Sequence, residues 1–540
     1  MYNLLIKTML ERAVKIYPNV EVTDRRTNGE RFSYTYKDVS QRICRLANVL
    51  EGFGIEPGDG KMGDCVGVVD WNTHRHLELF LGVPMFGAVF HSLNVRLSPE
   101  HLVHMINQAE DKVIFCNEDF IPLFEAFKDK IPTVKHFVIL TDGDTLPETS
   151  LSPASHYEDL LTQASPDYVF KDFDENTPMA MCYTTATTGT PKGCVYTHRM
   201  QSLHALTSVG MMGTSDKDIQ LSMVPMFHML GWGAPYTNTM MGLKQALTGR
   251  HPDPATFTKL IEEEKVTDIM GVPVLARAVL EELRTGNYDY SHLKRILVGG
   301  SAPDLALIQG YDELGIELHH GYGMTETAPL ISMNIIKAHM IDWPKEKLLQ
   351  VKRKQGLLAP NLDWKVLNEA GQEIKWDGKD VGQLVVRGPW VIEEYYKAPE
   401  KTAESFKDGY LYTRDMVSVD EEGYLYIADR SGDLIKSGGE WISTLDLDDY
   451  VMRNPNVLEA ATIGVPDEKW DERPVSFVVL RPEAKDTITE EDMKKFLLEK
   501  IEIARFWVPD RFIFIDEVPK TAATKFNKNA LRELYKEKYA

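Results

Sequence analysis

The stretch Y-T-T-A-T-T-G-T-P-K-G, from Tyr183 to Gly193, carries the strongest chemical signal in this sequence. The apolar run before it, Pro178–Tyr183, is typical of a short buried strand. A loop of hydroxyls and small residues that ends in Lys192 offers a polyphosphate many donors, close backbone approach and one mobile positive charge. An ordinary surface turn can have the same composition, and the loop is not a Walker A motif, because Gly193 rather than Ser or Thr follows Lys192. Motifs elsewhere in the chain are needed to distinguish a phosphate-binding loop from an ordinary surface turn.

The composition indicates a globular protein of more than one domain. Its 540 residues exceed what one hydrophobic core normally holds, and 43% hydrophobic with 26% charged residues is an ordinary balance. The formal net charge of -21 argues against a nucleic-acid-binding protein and against attraction to anionic lipid. An acidic protein that binds a polyanion must therefore concentrate cations at the binding site.

The cysteines and the chain ends favour a cytoplasmic location. The five cysteines lack metal-site spacing and several lie in apolar runs, which predicts reduced core residues in a cytosolic protein. The sequence contains no run of about 18 apolar residues that could span a membrane. Neither a secretory signal near Met1 nor an address signal at Lys538–Ala540 is recognised.

Strand and helix patterns alternate through most of the chain. Apolar runs at Asp64–Asp70, His136–Leu140 and Arg295–Val298 predict buried strands. Helical periodicity lies between such runs, and Ser40–Leu50 places its apolar residues on one helical face. This alternation indicates layered α/β structure with largely parallel sheets.

The pattern changes after about Asp429, where shorter helices and strands predict a small α+β domain. The segment Arg430–Asp433 joins the two parts, and its glycine gives the junction backbone freedom. We therefore predict an N-terminal domain over residues 1–430, a hinge at residues 431–433 and a C-terminal domain over residues 434–540.

Three further motifs add to the threonine-rich loop. Val224–His228, V-P-M-F-H, ends a strand-like run, and Trp232 follows it. Arg295–Ala302 is a strand that runs into small residues, a common ligand position at the carboxyl end of a strand. His320–Glu326, H-G-Y-G-M-T-E, places an aromatic residue between two glycines, followed by a hydroxyl and a carboxylate suited to phosphate and Mg²⁺.

Polar residues near the predicted junction and the C-terminus extend this set. Asp415, Arg430 and Lys436 form a spaced polar series, and Lys525 ends the segment P-K-T-A-A-T-K. Each also has a purely structural interpretation. A lone histidine such as His228 is more often structural than catalytic, Asp415 can serve as a cap or ion-pair partner, and Lys525 can be a solvated surface charge.

Taken in order, the motifs resemble those of the adenylate-forming acyl-CoA synthetases. The series comprises Y-T-T-A-T-T-G-T-P-K-G, P-M-F-H, G-Y-G-M-T-E, Asp415, D-R-S-G-D-L-I-K-S-G-G-E and P-K-T-A-A-T-K, and it covers nearly the whole chain. Singly these motifs are weak, but their conjunction in this order is specific. Ser437–Ile442 and Val298–Pro303 look most like the medium- and long-chain fatty acyl-CoA synthetases.

The resemblance implies both a fold and a reaction. The fold is a large N-terminal domain of layered α/β subdomains with mainly parallel sheets and a β-barrel-like part, followed by a small mobile α+β domain. The reaction is ATP-dependent activation of a medium- or long-chain fatty acid to acyl-CoA through an acyl-adenylate, which uses ATP, Mg²⁺ and coenzyme A. A homodimer and weak peripheral membrane contact are compatible with this resemblance.

The resemblance also implies roles for individual residues, matched motif by motif. The triphosphate would be held by Thr184, Thr185, Thr187, Thr188, Gly189 and Lys192. The adenosine part would be held by Gly300, Ser301, Ala302, Gly321, Tyr322, Gly323, Asp415 and Arg430. Cofactor contacts beyond the hinge would come from Lys436, Gly438, Gly439 and Trp441. The acyl pocket would contain His228, Trp232, Gly299 and Gly300. The catalytic set would be Lys525, Thr325, Glu326 and His228, with Thr187 and Glu326 as ligands of Mg²⁺.

Four positions depart from the usual pattern of the family. Ala186, Arg414 and Thr524 stand where glycine is usual, and a side chain there restricts positive φ. Gly432 stands where Asp, Lys or Ser commonly marks the hinge. No departure removes a charged or catalytic group.

Other function classes stay open at this point. One is adenylation of a short-chain or aromatic carboxylic acid, and luciferase-like or amino-acid-adenylating enzymes share the nucleotide motifs. Another is a non-enzymatic acyl-AMP-binding relative, but such a protein would be expected to lose Lys192, Glu326, Asp415 or Lys525, and all are present.

Overall fold

The computed structural model describes residues 2–184, 190–250, 253–430, 432–437, 440–467, 469–485, 487–501, 503–520 and 526–539. These residues form two compact units. The first unit runs to residue 363 and also contains residues 387–409, whereas the second contains residues 364–386 and those from 410 onward. The predicted hinge at residues 431–433 falls inside the second unit, so it stays a prediction about where the chain pivots.

The larger sheet of the first unit contains nine strands among the described residues. Its central pairings are parallel and the pairings at both margins are antiparallel. The carboxyl ends of adjacent parallel strands lie at the same edge, so the glycines that follow Val298 and those around Tyr322 come close together. In spatial order the strands are Leu357–Leu358, Ser332–Met333, Glu317–Tyr322, Arg295–Val298, Asp268–Gly271, Ile219–Ser222, Lys244–Ala246, Glu21–Arg25 and Arg31–Thr35.

The other sheet of the first unit contains seven strands of the described chain. It is parallel except for its last pair, a hairpin of Pro178–Tyr183 with Gly193–Thr197. The register pairs Tyr183 with Gly193, so the threonine-rich segment connects two paired strand ends. In spatial order the strands are Ala154–His156, His136–Leu140, Val113–Asn117, Cys65–Val69, Val89–Ser92, Pro178–Tyr183 and Gly193–Thr197.

Side chains fix the starts of several helices in the first unit. Thr35 and Asp38 form a reciprocal capping box at the start of Tyr36–Gly52, which satisfies N–H groups that the helix itself cannot. The apolar faces of these helices and the sheets share large buried clusters. The helices are Lys7–Ile16, Tyr36–Gly52, His74–Phe86, Pro99–Ala109, Ile121–Glu125, Tyr157–Gln163, His198–Met212, Ala234–Met241, Pro254–Glu264, Pro273–Thr285, Leu305–Glu313, Lys345–Lys352 and Pro399–Ser405, and a short strand Phe406–Lys407 follows them.

The second unit begins with an antiparallel sheet. Strand Tyr410–Val419 pairs with Gly382–Arg387 on one side and with Leu425–Arg430 on the other. Asp363–Leu367 lies beyond Gly382–Arg387. The register places Asp415 opposite Arg430, and the pairing is irregular just after Met416.

The C-terminal part of the second unit is α+β, as predicted. Val457–Asp467 and Asp471–Leu480 form a long antiparallel hairpin, and Arg511–Phe514 adds a parallel strand beside it. Successive residues of a strand face opposite sides, so the hairpin contributes to two small cores, one containing Val478 and the other Phe477. The remaining strands and helices are Ile435–Ser437, Glu440–Ile442, Thr444–Met452, Glu490–Phe496 and Lys528–Lys538.

The predicted fold class is therefore confirmed: mixed α/β with mostly parallel sheets and a separate C-terminal domain.

The cysteines are free, and burial raises the pKa of thiols such as Cys116 and Cys194. Within the described ranges, every helix is too short or too polar to cross a membrane.

Candidate active site

Hydrogen bonds between its two ends close the base of the threonine-rich loop. The N–H of Thr184 donates to the carbonyl oxygen of Lys192 at 2.9 Å, and the N–H of Lys192 donates to the Thr184 hydroxyl at 3.3 Å. The Thr184 hydroxyl therefore serves the loop itself, and Lys192 stands at the loop's exit. The predicted phosphate contacts Thr185, Thr187, Thr188 and Gly189, and the departure Ala186, lie outside the described residues.

Glu326 lies in a short 3-10 turn, Thr325–Thr327, with only 5% of its surface exposed. The hydroxyl of Tyr395 donates to its Oε1 at 2.6 Å, and the N–H of Ile392 donates to its backbone carbonyl at 2.9 Å. Burial and the charge of Glu326 raise the pKa of Tyr395, so its phenol stays protonated and keeps donating. One oxygen of the Glu326 side chain, Oε1, is thus held by the Tyr395 hydroxyl.

Tyr395 also contacts Lys192, whose ammonium nitrogen lies 4.0 Å from the centre of the phenol ring. An ammonium over an aromatic face is a favourable cation–π contact. The structure thereby brings together two predicted residues, Lys192 and Glu326, through a third that sequence reasoning missed. Tyr395 lies in the unremarkable segment E-E-Y-Y-K, and neither its spacing nor its composition marks it.

Thr325 is connected to the strand that follows the loop. It is 8% exposed, and its carbonyl oxygen accepts a hydrogen bond from the Tyr196 hydroxyl at 2.6 Å. Tyr196 lies on Gly193–Thr197, which begins directly after Lys192. The turn carrying Thr325 and Glu326 is therefore attached to the same hairpin as the threonine-rich loop.

Gly323 is required by close backbone packing. A Cβ at this position would overlap the carbonyl oxygen of Pro329, which belongs to the backbone and cannot move aside as a side chain can. Gly321 pairs with Met333 at the sheet margin, and Tyr322 beside it is half-buried. The G-Y-G segment thus holds Tyr322 at the carboxyl end of strand Glu317–Tyr322.

Gly299 and Gly300 follow the neighbouring strand, and Trp232 packs against them. The Trp232 ring lies 2.9 Å from where a Cβ on Gly299 would stand, and 3.9 Å from one on Gly300. Gly300 has φ +82°, a conformation that side chains rarely adopt, and the Ser301 and Ala302 that follow are exposed. The space beside Gly299 is therefore filled by the Trp232 indole in this structure.

Trp232 itself has φ +53°, which is uncommon for a bulky residue. It lies in the 3-10 turn Met229–Gly233, which His228 precedes. The carbonyl oxygen of His228 accepts from the N–H of Gly231 at 3.0 Å, so its backbone starts the turn that presents the indole. His228 and Trp232 thus belong to one local structure.

In the second unit, strand pairing sets Asp415 opposite Arg430, which brings together two residues predicted to bind ribose. Asp415 is 7% exposed, and its N–H donates to the Thr413 hydroxyl at 3.1 Å. The Arg430 side chain lies outside the described atoms. Arg414, which stands where the family usually has glycine, has φ +65° and an exposed side chain.

Lys436 and Trp441 face each other across two paired strands. The ammonium of Lys436 lies 5.0 Å from the Trp441 ring centre and 3.5 Å from Oε1 of Glu369. Both predicted cofactor contacts therefore share one surface of this unit. Their neighbours Gly438 and Gly439, and the catalytic candidate Lys525 with Thr524, lie outside the described residues.

Gly432, the predicted pivot, is exposed, and an added Cβ would meet nothing within 4 Å. Its φ lies outside the left-handed range, so this arrangement does not require glycine there. Arg532 donates to the Gly432 carbonyl oxygen at 2.8 Å and pairs with Asp433 at 2.5 Å. Sequence reasoning missed this contact because helix Lys528–Lys538 is remote along the chain.

Side-chain geometry alone gives no metal centre in the described ranges, where His, Cys, Asp and Glu side chains nowhere form a group of three that could hold an ion. Glu326 nevertheless fits Mg²⁺. Its Oε1 is occupied by Tyr395, and its Oε2 forms no hydrogen bond or ion pair with the described residues. Mg²⁺ in nucleotide sites is commonly bound by one or two carboxylates together with substrate phosphates and water, which a single oriented carboxylate allows.

Two family models match this chain in succession. AMP-binding enzyme matches residues 10–396, and the AMP-binding enzyme C-terminal domain matches residues 446–525. The chain therefore belongs to the AMP-binding enzyme family.

Similar proteins narrow the class further. The chain is 41% identical to a long-chain-fatty-acid–CoA ligase of Thermus thermophilus, over 98% of this chain and 95% of that protein. It is 35% identical to a medium-chain-fatty-acid–CoA ligase of Ectopseudomonas oleovorans, over 98% and 96% of the two chains. It is an AMP-forming acid–thiol ligase, an acyl-CoA ligase that uses ATP and CoA.

A solved structure agrees with the fold over the full length. ATP-bound MatB from Rhodopseudomonas palustris superposes with a TM-score of 0.83 at 26% identity, covering 100% of both chains. The anthranilate CoA ligase AuaEII, in complex with anthranoyl-AMP, superposes with a TM-score of 0.86 at 23% identity, over 99% of this chain and 98% of that chain. The second similarity supports the fold alone.

Proposed function

We propose that this ligase activates a medium- or long-chain fatty acid to its acyl-CoA. The main support is the 41% identity, along nearly the whole chain, to a protein named as a long-chain-fatty-acid–CoA ligase. The second named relative, at 35%, is a medium-chain ligase. A hydrophobic acyl chain also suits a site whose nearest side chain at the sheet edge is the Trp232 indole.

The proposed chemistry has two steps. A carboxylate oxygen of the fatty acid attacks the α-phosphorus of ATP, forming the acyl-adenylate and releasing pyrophosphate. The CoA sulfur then attacks the acyl carbon, forming the thioester and releasing AMP. The protein forms no covalent bond in either step, so its contribution is positioning and stabilisation of charge.

The residues of the first unit would hold the triphosphate. Lys192 supplies positive charge beside the loop, and the loop threonines supply hydroxyl and N–H donors. Glu326, through the Oε2 that has no hydrogen-bond partner among the described residues, and Thr187 would hold Mg²⁺, which when bound neutralises phosphate charge and orients the phosphate oxygens. Thr325 would contact the α-phosphate, whereas Lys525 would bridge the substrate carboxylate and the phosphate during adenylation.

The adenosine part of ATP would be bound by residues of the glycine-containing motifs and by the pair Asp415 and Arg430. Tyr322 would pack on adenine, with Gly300, Ser301 and Ala302 opposite it. Asp415 and Arg430 would bind the ribose hydroxyls. Lys436, Gly438, Gly439 and Trp441 would contribute to the CoA path.

The acyl pocket would begin where Trp232 packs on Gly299, with His228 flanking the carboxylate. Because the indole fills that space, a long chain enters only if Trp232 moves, which makes Trp232 a gate. Replacing Gly300 by a bulky residue is a poor test, because φ +82° would strain any side chain there. Trp232→Ala removes the ring and keeps the remaining backbone, so it is the better variant.

The test is the rate of AMP and pyrophosphate release with acids from acetate to palmitate and with benzoate, with and without CoA. We expect kcat/KM to rise with chain length, since each buried methylene contributes about 0.8 kcal/mol, until the pocket ends. Trp232→Ala should change this profile more than the rate with the shortest acids. ADP and phosphate as products would contradict the reaction class.

A short-chain or aromatic substrate is the second candidate. The short-chain alternative is favoured by relatives named 3-methylmercaptopropionyl-CoA ligase, which are 34% and 33% identical along nearly the whole chain. A chain-length profile that peaks at acetate, propionate or a similarly short acid would replace the fatty acid by this candidate and leave the two-step reaction intact.

A further inference from the structure

We infer that Tyr395 is a positioning residue that sets both charges of the triphosphate site, through its hydroxyl on Glu326 and its ring against Lys192. The inference rests on the proposed role of Glu326 as a ligand of Mg²⁺. It concerns nucleotide binding and is independent of which acid the enzyme activates.

The hydroxyl of Tyr395 binds one oxygen of the Glu326 carboxylate, and the other, Oε2, forms no hydrogen bond or ion pair with the part of the chain that the structure describes. Its 2.6 Å hydrogen bond to Oε1 is short, as expected when a neutral donor meets an ionised acceptor. Both residues are buried, with exposed fractions of 4% and 5%, so the contact is little weakened by solvent. This hydrogen bond restricts rotation of the carboxylate and so favours one direction for Oε2. A partner that orients a ligating carboxylate commonly affects metal affinity by about 10- to 100-fold.

The ring of Tyr395 contacts Lys192 rather than Glu326. Lys192 lies at the exit of the loop, and a lysine side chain has many rotamers, which cost free energy to restrict when a phosphate binds. The ring face 4.0 Å from its ammonium restricts those rotamers before the ligand arrives. Two contacts hold the backbone that carries the ring, since the Tyr395 N–H donates to the Thr402 hydroxyl at 3.0 Å and the next residue pairs with Gly193.

Two variants separate the hydroxyl from the ring. Tyr395→Phe keeps the ring against Lys192 and removes the donor to Glu326, whereas Tyr395→Leu removes both. The neighbouring Tyr396 supplies a control, because it is also a tyrosine beside a lysine, with the Lys397 ammonium 5.0 Å from its ring centre, although it is half-buried where Tyr395 is buried. Tyr396→Phe removes a hydroxyl from the same segment and leaves Glu326 untouched.

The measurement is calorimetric binding of ATP to the full-length protein without any carboxylic acid, so that no turnover occurs, in Mg²⁺ and in a chelator. We expect Tyr395→Phe to weaken ATP binding by about 10- to 100-fold in Mg²⁺ and by less than about twofold in the chelator. Tyr395→Leu should weaken binding in both media. Tyr396→Phe should match the parent protein in both.

A second comparison holds even if Tyr395→Phe alone is too unstable to purify. In a Glu326→Gln background the buried charge is gone, so adding Tyr395→Phe should change ATP binding in Mg²⁺ by less than about twofold. A larger change there, or an unaltered Mg²⁺ dependence in the single variant, overturns the assignment of Tyr395. If Glu326→Gln itself leaves the Mg²⁺ dependence unaltered, the proposed role of Glu326 fails as well, and the two failures are thereby distinguished.

Discussion

The region around Glu326 and the region around Gly432 are built in opposite ways. In the first unit, Glu326 is buried and held by Tyr395, and Gly323 nearby leaves no room for even a methyl group. In the second unit, Gly432 is exposed, and an added Cβ would meet nothing within 4 Å. Arg532 contacts the Gly432 carbonyl from the surface helix Lys528–Lys538.

This difference matches two kinds of task. Stabilising the charge that develops on a phosphate requires groups that are already in place, because reorganising them during the reaction would raise the barrier. A pivot requires a few residues that can change φ and ψ at low cost. We therefore expect substitutions near Glu326 to act on stability and adenylation, and substitutions near Gly432 to act on the passage between the two steps.

The largest effect is expected from Gly323→Ala. The new Cβ would overlap the Pro329 carbonyl oxygen, and relieving the overlap requires a backbone shift in the turn that carries Glu326. We expect a loss of about 3 kcal/mol in the free energy of unfolding, measured by denaturant titration, together with loss of adenylation. Gly210→Ala, in helix His198–Met212 where the added atom meets nothing, is the control and should be neutral or stabilising. Equal effects at the two glycines would refute the steric argument.

The next effect concerns Lys525, which we assign to adenylation. Its charge is useful where negative charge builds on the carboxylate and the α-phosphate, and not afterwards. Lys525→Ala should slow pyrophosphate release by about 10²- to 10³-fold while thioester formation from supplied acyl-adenylate changes far less. Lys520→Ala is the control. Lys520 lies in the same segment, its ammonium pairs with Glu459 at 2.6 Å, and its removal should affect neither step. Similar losses in both half-reactions would contradict the assigned role.

A smaller and more selective effect is expected at Gly432. Proline fixes φ near about -65° and removes the N–H, so Gly432→Pro would hold the predicted pivot in one arrangement. If that arrangement is the adenylating one, the variant should make acyl-adenylate and pyrophosphate but little acyl-CoA in single-turnover assays. Gly432→Ala keeps the N–H and adds a Cβ into open space, so both steps should survive in this control. Normal thioester formation by the proline variant would place the pivot elsewhere.

Local patterns in the sequence predict buried strands, but they do not predict contacts between segments that are distant along the chain. Strands His136–Leu140 and Arg295–Val298 were predictable to the residue, because buried strands read as continuous apolar runs. Tyr395 and Arg532 were not predictable, since their roles depend on which distant segments the fold brings beside Glu326 and Gly432. The packing of the Trp232 indole against Gly299 was not predictable either, because a glycine marks only the need for space and not what fills it.

The smallest expected effect is at Arg414, where the departure from the family's usual glycine can be tested directly. At φ +65° a side chain crowds the backbone, at a cost of about 1 kcal/mol or more that glycine avoids, although glycine also gives the unfolded chain more freedom. We therefore expect Arg414→Gly to stabilise the second unit by about 0.5 to 1 kcal/mol in denaturant titration. Arg414→Ala removes the charge but keeps the Cβ, so it should give no such gain. Asp471, at φ +68° in the C-terminal hairpin, offers an independent repeat of the comparison. If alanine stabilises as much as glycine at Arg414, the gain comes from removing the exposed guanidinium, and the backbone argument is wrong.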